Sequence, residues 1–192
     1  MISQVKSKFC MWCGDALSFM TLDNRTVPAC SSHPKCEFVD WNNPNPYANV
    51  LLSLDGRVLL VKRAQMPMKG HWCLPGGYLD SFESPEAAAA RELFEETGLE
   101  SVIDKKNILA VTTEGNNDIQ VFYWAKKITG GSLTLNHESL DLRFFEEHEL
   151  PEDIAFPTHE QVIRDWFSKN RRKSSNIVRL ADQALIPNQA HM

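Results

Sequence analysis

Apolar positions along the chain change their period several times, and each change predicts an element. The runs NVLLSL (49–54) and RVLLVKR (57–63) flank Asp55-Gly56. That dipeptide favours a tight turn matched to strand twist, so a β-hairpin is expected there. Four further runs read as strands: ILAVTT (108–113), IQVFYWAKK (119–127), SLTL (132–135) and LRFFE (142–146). Ahead of them, Ser84 is a good N-cap, Pro85 suits the first helical position, and Gly98 can end a helix in the left-handed conformation. A helix from about Pro85 to Thr97 is therefore expected. A second helix is predicted at 159–169, where Thr158 and Gln161 form a capping-box pair and Val162, Ile163, Trp166 and Phe167 share one apolar face. The segment WNNPNPYA (41–48) reads as an extended linker, and KNRRKSSN (169–176) opens a basic, polar tail.

Strands flanking a helix, then more strands and a final helix, predict an α/β (α+β) sandwich with a mixed sheet. The expected organisation is a small module at 1–40, a linker at 41–48, the main domain at 49–169 and a tail at 170–192.

Composition narrows the function class. With 43% hydrophobic and 23% charged residues, the 192-residue chain reads as an ordinary globular protein. A net charge of −5 argues against a general nucleic-acid binder, which usually carries a basic stripe. No apolar run approaches the roughly 18 residues of a membrane span. The opening MISQVKSKFCMWCG lacks the apolar segment and cleavage site of a secretion signal, so a reducing, cytoplasmic setting is expected. The five cysteines then read as metal ligands or free thiols before disulfides.

The stretch from Gly76 to Leu99 places six carboxylates and one arginine around four consecutive alanines. On the predicted helix, Glu92, Glu95 and Glu96 are three and four residues apart and can converge on one side. Glu95 and Glu96 also sit near the helix C-terminus, where the dipole disfavours anions. A solvated acidic face and a metal site are the two readings. A divalent cation reverses the sign of both penalties, and hard oxygen donors of this kind suit Mg²⁺ or Mn²⁺.

Gly77, Glu83, Arg91, Glu92, Leu93, Glu95, Glu96, Gly98 and Leu99 fit the pattern G-x5-E-x7-R-E-U-x-E-E-x-G-U, with U aliphatic, at every specified position. By this pattern the chain resembles the Nudix hydrolases. The resemblance implies an α/β/α sandwich fold and Mg²⁺-dependent cleavage of a pyrophosphate linkage in a nucleoside diphosphate derivative. It further implies that Glu92, Glu95 and Glu96 bind the catalytic metal, with the Gly76 carbonyl often joining them. Arg91 would hold the glutamates by ion pairing, and Glu83 would support the loop or an outer-shell water. Many family members take a further carboxylate from a later loop, as base or ligand. Glu138 is the candidate here, with Asp141, Glu146 and Glu147 behind it.

Four cysteines lie in the first 36 residues: Cys10, Cys13, Cys30 and Cys36. Cys10-x2-Cys13 followed by Gly14 has the shape of a zinc knuckle. Cys30-x2-His33 and His33-x2-Cys36 both have ligand spacing, so His33 is an alternative to Cys30. The segment resembles the zinc ribbon found ahead of some Nudix domains, where the last cysteine precedes an aromatic and Asn-Pro; CEFVDWNNP (36–44) matches and assigns Cys36. Four ligands imply a closed, structural Zn²⁺ site.

Ribbon plus box resembles the NADH pyrophosphatases, yet the region after the box, ESVIDKKNILAVTTEGNND, lacks their SQPWPFPxS motif. The proline of many ADP-ribose pyrophosphatases and the coenzyme A pyrophosphatase signature are also missing. What remains, RA-x-x-P-x-x-G-x-W-x-LPGG (63–77), is common to Nudix proteins of broad pyrophosphatase type. Trp72, Tyr78 and Phe122, with Tyr123 and Trp124, could stack on a base or fill the core. Arg63, at a strand end, could meet a phosphate bidentately or sit in solvent. The expected substrate is ADP-ribose, NAD(H), FAD or a relative, with AMP and a phosphorylated product released. Hydrolysis of nucleoside triphosphates, and a nucleotide-sensing or RNA-associated module, are the alternatives. The resemblance makes a homodimer an expectation.

Overall fold

The structure is a computed structural model that describes residues 7–114 and 117–184. The chain divides into two compact units, Met1–Pro44 and Asn45–Met192.

In the first unit, β1 (Leu17–Leu22) and β2 (Arg25–Cys30) form an antiparallel hairpin. Asp23 and Asn24 make its turn with φ of 47° and 59°, a conformation these short polar side chains tolerate. The register pairs Leu17 with Cys30, which brings Cys30 beside the knuckle at Cys10–Gly14. Gly14, at φ 82°, donates its N–H to the Cys10 carbonyl at 2.9 Å and closes that knuckle.

The second unit begins with β3 (Asn45–Leu54) and β4 (Arg57–Arg63), the expected hairpin. Asp55 and Gly56 both have positive φ, 49° and 76°, as the turn type requires. There follow β5 (Trp72–Cys73), β6 (Gly76–Tyr78), α1 (Pro85–Thr97), β7 (Leu99–Glu100), β8 (Ile108–Glu114), β9 (Asp118–Ala125), β10 (Gly130–Gly131), β11 (Ser139–Phe145) and α2 (Pro157–Ala184). The main sheet runs β11-β4-β3-β9-β8, with β5 on β4 and β6 on β3. It is mixed, because β3 and β9 are parallel while its other pairs are antiparallel.

Strand alternation distributes side chains to two helical layers. Ala48, Val50, Leu52, Leu59, Tyr123 and Ala125 pack on Ala88, Ala89 and Leu93 of α1. Leu51, Val58, Leu60, Phe122 and Phe145 pack with Val162, Ile163, Trp166 and Phe167 of α2. Each large side chain buried this way contributes about 1.5–3 kcal/mol. The two buried alanines let α1 lie close to β3, and Tyr123 ends in a 2.9 Å hydrogen bond to Glu86.

Four sequence expectations shift. SLTL (132–135) is exposed and forms no strand. Its backbone instead serves the end of α1: the Ser132 and Thr134 N–H groups donate to the Gly98 and Thr97 carbonyls at 3.1 and 2.9 Å. Strand β3 starts at Asn45, inside the stretch read as linker, because β9 pairs with it from that residue onward. Helix α2 starts at Pro157, with the Phe156 carbonyl accepting from Glu160, so Phe156 rather than Thr158 stands at its entry. The same helix continues through the expected tail to Ala184, and its residues there are mostly good helix formers. The last part of that tail lies outside the described residues. Among the described residues, no helix is long and apolar enough to cross a membrane.

Candidate active site

Arg91 is the hub of the box. Its Nε and one terminal nitrogen grip both oxygens of Glu83 at 2.9 Å each. The other terminal nitrogen donates to Glu92 at 2.7 Å and to Glu95 at 2.9 Å, and the Tyr78 carbonyl accepts a fifth bond at 3.0 Å. All the donors of the guanidinium are thereby engaged, a geometry that lysine could not reproduce. Glu83, through these bonds first, is held below its ordinary carboxylate range. Its carboxylate also accepts the Asp80 N–H at 3.0 Å, which fixes the loop ahead of α1.

One turn beyond Glu92, the Glu96 carboxylate accepts the Gly76 N–H at 3.2 Å. Burial first, then the charge of Glu92, pushes its carboxyl up to about 8. Burial raises Glu92 as well, against the opposing pull of Arg91. A Cβ on Gly77 would take the place of the Glu92 carboxylate, and one on Gly76 would run into the Ala48 backbone carbonyl of β3, so both positions leave room only for glycine while Glu92 keeps this orientation. Tyr47 donates its hydroxyl to the Gly76 carbonyl, which leaves that oxygen a second lone pair.

These groups open onto a cleft of about 800 Å³. Gly76, Gly77, Arg91, Glu92 and Glu96 line one end, and Arg63 and Glu138 stand along its wall. Glu138 accepts from Gln65 at 3.2 Å, and Arg63 donates to the Pro67 carbonyl at 2.9 Å and lies over the Phe156 ring. Tyr78 lines the cleft with its ring half exposed. Glu83 and Glu95 reach it only through Arg91. Trp72 and Phe122 do not line it: both are core residues under α2, Trp72 edge-on to Phe145. Asp141, Glu146 and Glu147 also stay outside the cleft; Asp141 bonds the neighbouring Leu142 N–H, and Glu146 caps a short turn.

The cleft contains residues that sequence patterns did not single out: Tyr47, Cys73, Asp118, Gln120 and His159, and the Met66–Met68 lip. His159 is wholly buried, and burial, then Arg63, lowers its pKa to about 3. It is therefore neutral and accepts the Leu74 N–H on Nδ1 at 3.1 Å. Burial raises the Cys73 thiol to about 12, so it stays protonated.

In the first unit, the sulfurs of Cys10, Cys13, Cys30 and Cys36 all lie within 4.8 Å of one another, and this group can hold a metal ion. Cys10 and Cys36 are 3.7 Å apart and Cys13 and Cys30 3.5 Å. Four thiolates around a tetrahedral ion at about 2.3 Å stand about 3.8 Å from each other, close to both values. His33 is not in the group, so Cys30 takes the fourth place.

The description of the NUDIX domain matches residues 44–166, well over half of the chain. The chain belongs to the NUDIX family. It is 32% identical over 120 residues to an ADP-ribose pyrophosphatase of Methanocaldococcus jannaschii, covering 60% of this chain and 69% of that one. It is 31% identical over 129 residues to a putative 8-oxo-dGTP diphosphatase of Bacillus subtilis, covering 67% and 81%. The crystal structure of a NUDIX hydrolase from Nitrosomonas europaea superposes with a TM-score of 0.77 at 28% identity, over 86% of this chain and 93% of the other. The protein is thus a NUDIX hydrolase with pyrophosphatase chemistry on small nucleotides, of a family that works with divalent metals.

Proposed function

We propose that this NUDIX hydrolase cleaves the pyrophosphate linkage of a nucleoside diphosphate derivative such as ADP-ribose, NAD(H) or FAD, releasing AMP and a phosphorylated product. The observation that carries this is the cleft of about 800 Å³, whose lining brings Arg63 together with the carboxylates of Glu92, Glu96 and Glu138. That volume accommodates a ligand of dinucleotide size. The first relative described above is named for ADP-ribose.

The donor set suits Mg²⁺ or Mn²⁺, since it is all oxygen and the ionised form of Glu96 is disfavoured by burial first and then by the neighbouring Glu92 charge. Such an ion, held by Glu92, Glu96 and the Gly76 carbonyl, with Glu95 joining them once it leaves Arg91, would neutralise phosphate charge and make the attacking water more acidic. Arg63, at the end of β4, binds the pyrophosphate. Glu138 stands within the cleft as acceptor for the proton of the attacking water. Arg91 keeps Glu92 and Glu95 on the helix flank, and Glu83 fixes Arg91 in turn. In the amino-terminal unit, the four-cysteine site holds structural Zn²⁺ and takes no part in the reaction.

A nucleoside triphosphate is the second reading, supported by the Bacillus subtilis relative and its printed name. Product analysis separates the two. With Mg²⁺ present, AMP from ADP-ribose and NADH supports the first reading; inorganic pyrophosphate from triphosphates, with no AMP from ADP-ribose, replaces it with the second.

A further inference from the structure

Asp118 is 5% exposed, yet it lines the cleft. A buried carboxylate facing a ligand-sized space calls for a partner, and its two oxygens are already positioned. Tyr78 donates its hydroxyl to one at 2.9 Å, and the Asn45 amide donates to the other at 3.1 Å. An ionised carboxylate accepts about four hydrogen bonds, so these two fix its orientation and leave capacity towards the cleft.

The surroundings suit a flat, donor-bearing group. The Tyr78 ring is 51% exposed and is braced edge-on by Tyr47 at 4.9 Å. Gln120 lines the cleft two residues along from Asp118 on the same strand face. In the register, Gly76 pairs with Asn49, whereas Asp118 pairs with Asn45. Four residues of strand, about 13 Å, therefore separate the level of the box carbonyl from the level of Asp118. That interval holds the sugar between a phosphate at one end and a base at the other.

We propose that Asp118 is a specificity-determining residue that accepts a hydrogen bond from the exocyclic amino group of the substrate's nucleobase, with the base laid against Tyr78. The inference rests on the cleft being the nucleotide site, and it adds which end the base occupies and which base edge is read. Adenine offers its amino group to Asp118. Hypoxanthine puts a carbonyl oxygen there instead, acceptor against carboxylate, and is rejected.

The test measures AMP and IMP binding to the full-length protein in magnesium buffer by calorimetry, for the wild type, Asp118→Asn and Asn45→Ala. The wild type is expected to prefer AMP by roughly tenfold or more, the worth of one hydrogen bond to a charged group. Asp118→Asn brings the two affinities within about twofold and raises KM for ADP-ribose roughly tenfold with kcat nearly unchanged, since the base is remote from the bond that breaks. Asn45→Ala, which removes only a supporting bond, keeps the preference. Equal binding of AMP and IMP by the wild type, or a preference that survives in Asp118→Asn, overturns the assignment. So does a preference lost equally in Asn45→Ala, or one that follows removal of a ribose hydroxyl rather than the base amino group. If ADP-ribose is hydrolysed while AMP and IMP bind alike, only Asp118 is misassigned. If no nucleoside diphosphate is hydrolysed and neither nucleotide binds, the reading of the cleft fails with it.

Discussion

Arg91 holds Glu83 by two parallel hydrogen bonds, Nε to one oxygen and a terminal nitrogen to the other, each 2.9 Å long. Both side chains are mostly buried, 26% and 14% exposed, so the pair is shielded from solvent screening. The consequence is mechanical, because the loop from Tyr78 to Ser84 is tied to α1 through one guanidinium.

Arg91→Lys is therefore expected to keep the charge and lose the fork. Stability should fall by about 1–3 kcal/mol, the worth of charge-assisted hydrogen bonds in such a setting. Turnover should fall by at least tenfold as Glu92 and Glu95 lose their shared anchor. Urea unfolding together with steady-state kinetics checks both, and a lysine variant with wild-type values in each would contradict the role.

Glu92→Gln and Glu96→Gln should each lower turnover by roughly a hundredfold or more, because each removes a charged oxygen donor at the phosphate-binding end. Glu96→Gln should at the same time leave stability near neutral pH little changed, since burial, then the charge of Glu92, already pushes this carboxyl up to about 8 and keeps it largely protonated. Circular dichroism and melting curves separate this from unfolding. Full activity in both variants would remove the carboxylates from the mechanism.

His159 gives the fold a pH dependence of definite sign. Its pKa falls from 6.5 to about 3 on folding, so between those values the unfolded chain binds the extra proton and the folded chain does not. Stability through this residue is complete above about pH 6.5 and declines as pH falls, by about 1.4 kcal/mol per unit, or about 2 kcal/mol at pH 5. Replacing it by glutamine, whose amide oxygen can still accept the Leu74 N–H, should flatten the slope between pH 7 and 5 in urea titrations. An unaltered slope would assign that pH dependence to other groups.

The purified protein should carry about one equivalent of zinc. Cys30→Ser should lower that content and the thermal stability of the amino-terminal unit, whereas His33→Ala should change neither. Elemental analysis decides the point; zinc content that follows His33 rather than Cys30 would revise the ligand set.

The box and the hairpin were legible because local chemistry specifies them. Ser84, Pro85 and Gly98 delimit α1 by capping, and Asp55-Gly56 imposes its own turn on any flanking strands. Trp72 and Phe122 were ambiguous because an aromatic in a strand signals burial without saying beneath what, and here α2 covers both. SLTL has strand-like residues, but the free carbonyls at the end of α1 compete for its backbone. Tyr47, Asp118 and His159 carry no local signature at all. They enter the cleft only through the register of β3 with β9 and the starting point of α2, both long-range facts.

One face of β9 passes from Trp124 and Phe122 beneath α2 to Gln120 and Asp118 in the open cleft. The ribbon is thus interior masonry at one end and a reading surface at the other, with the boundary between adjacent side chains of the same row. If Asp118 reads the base as proposed, changes at the open end retune what the enzyme accepts while the covered end goes on holding the sheet together, and selectivity can alter without the fold having to be rebuilt.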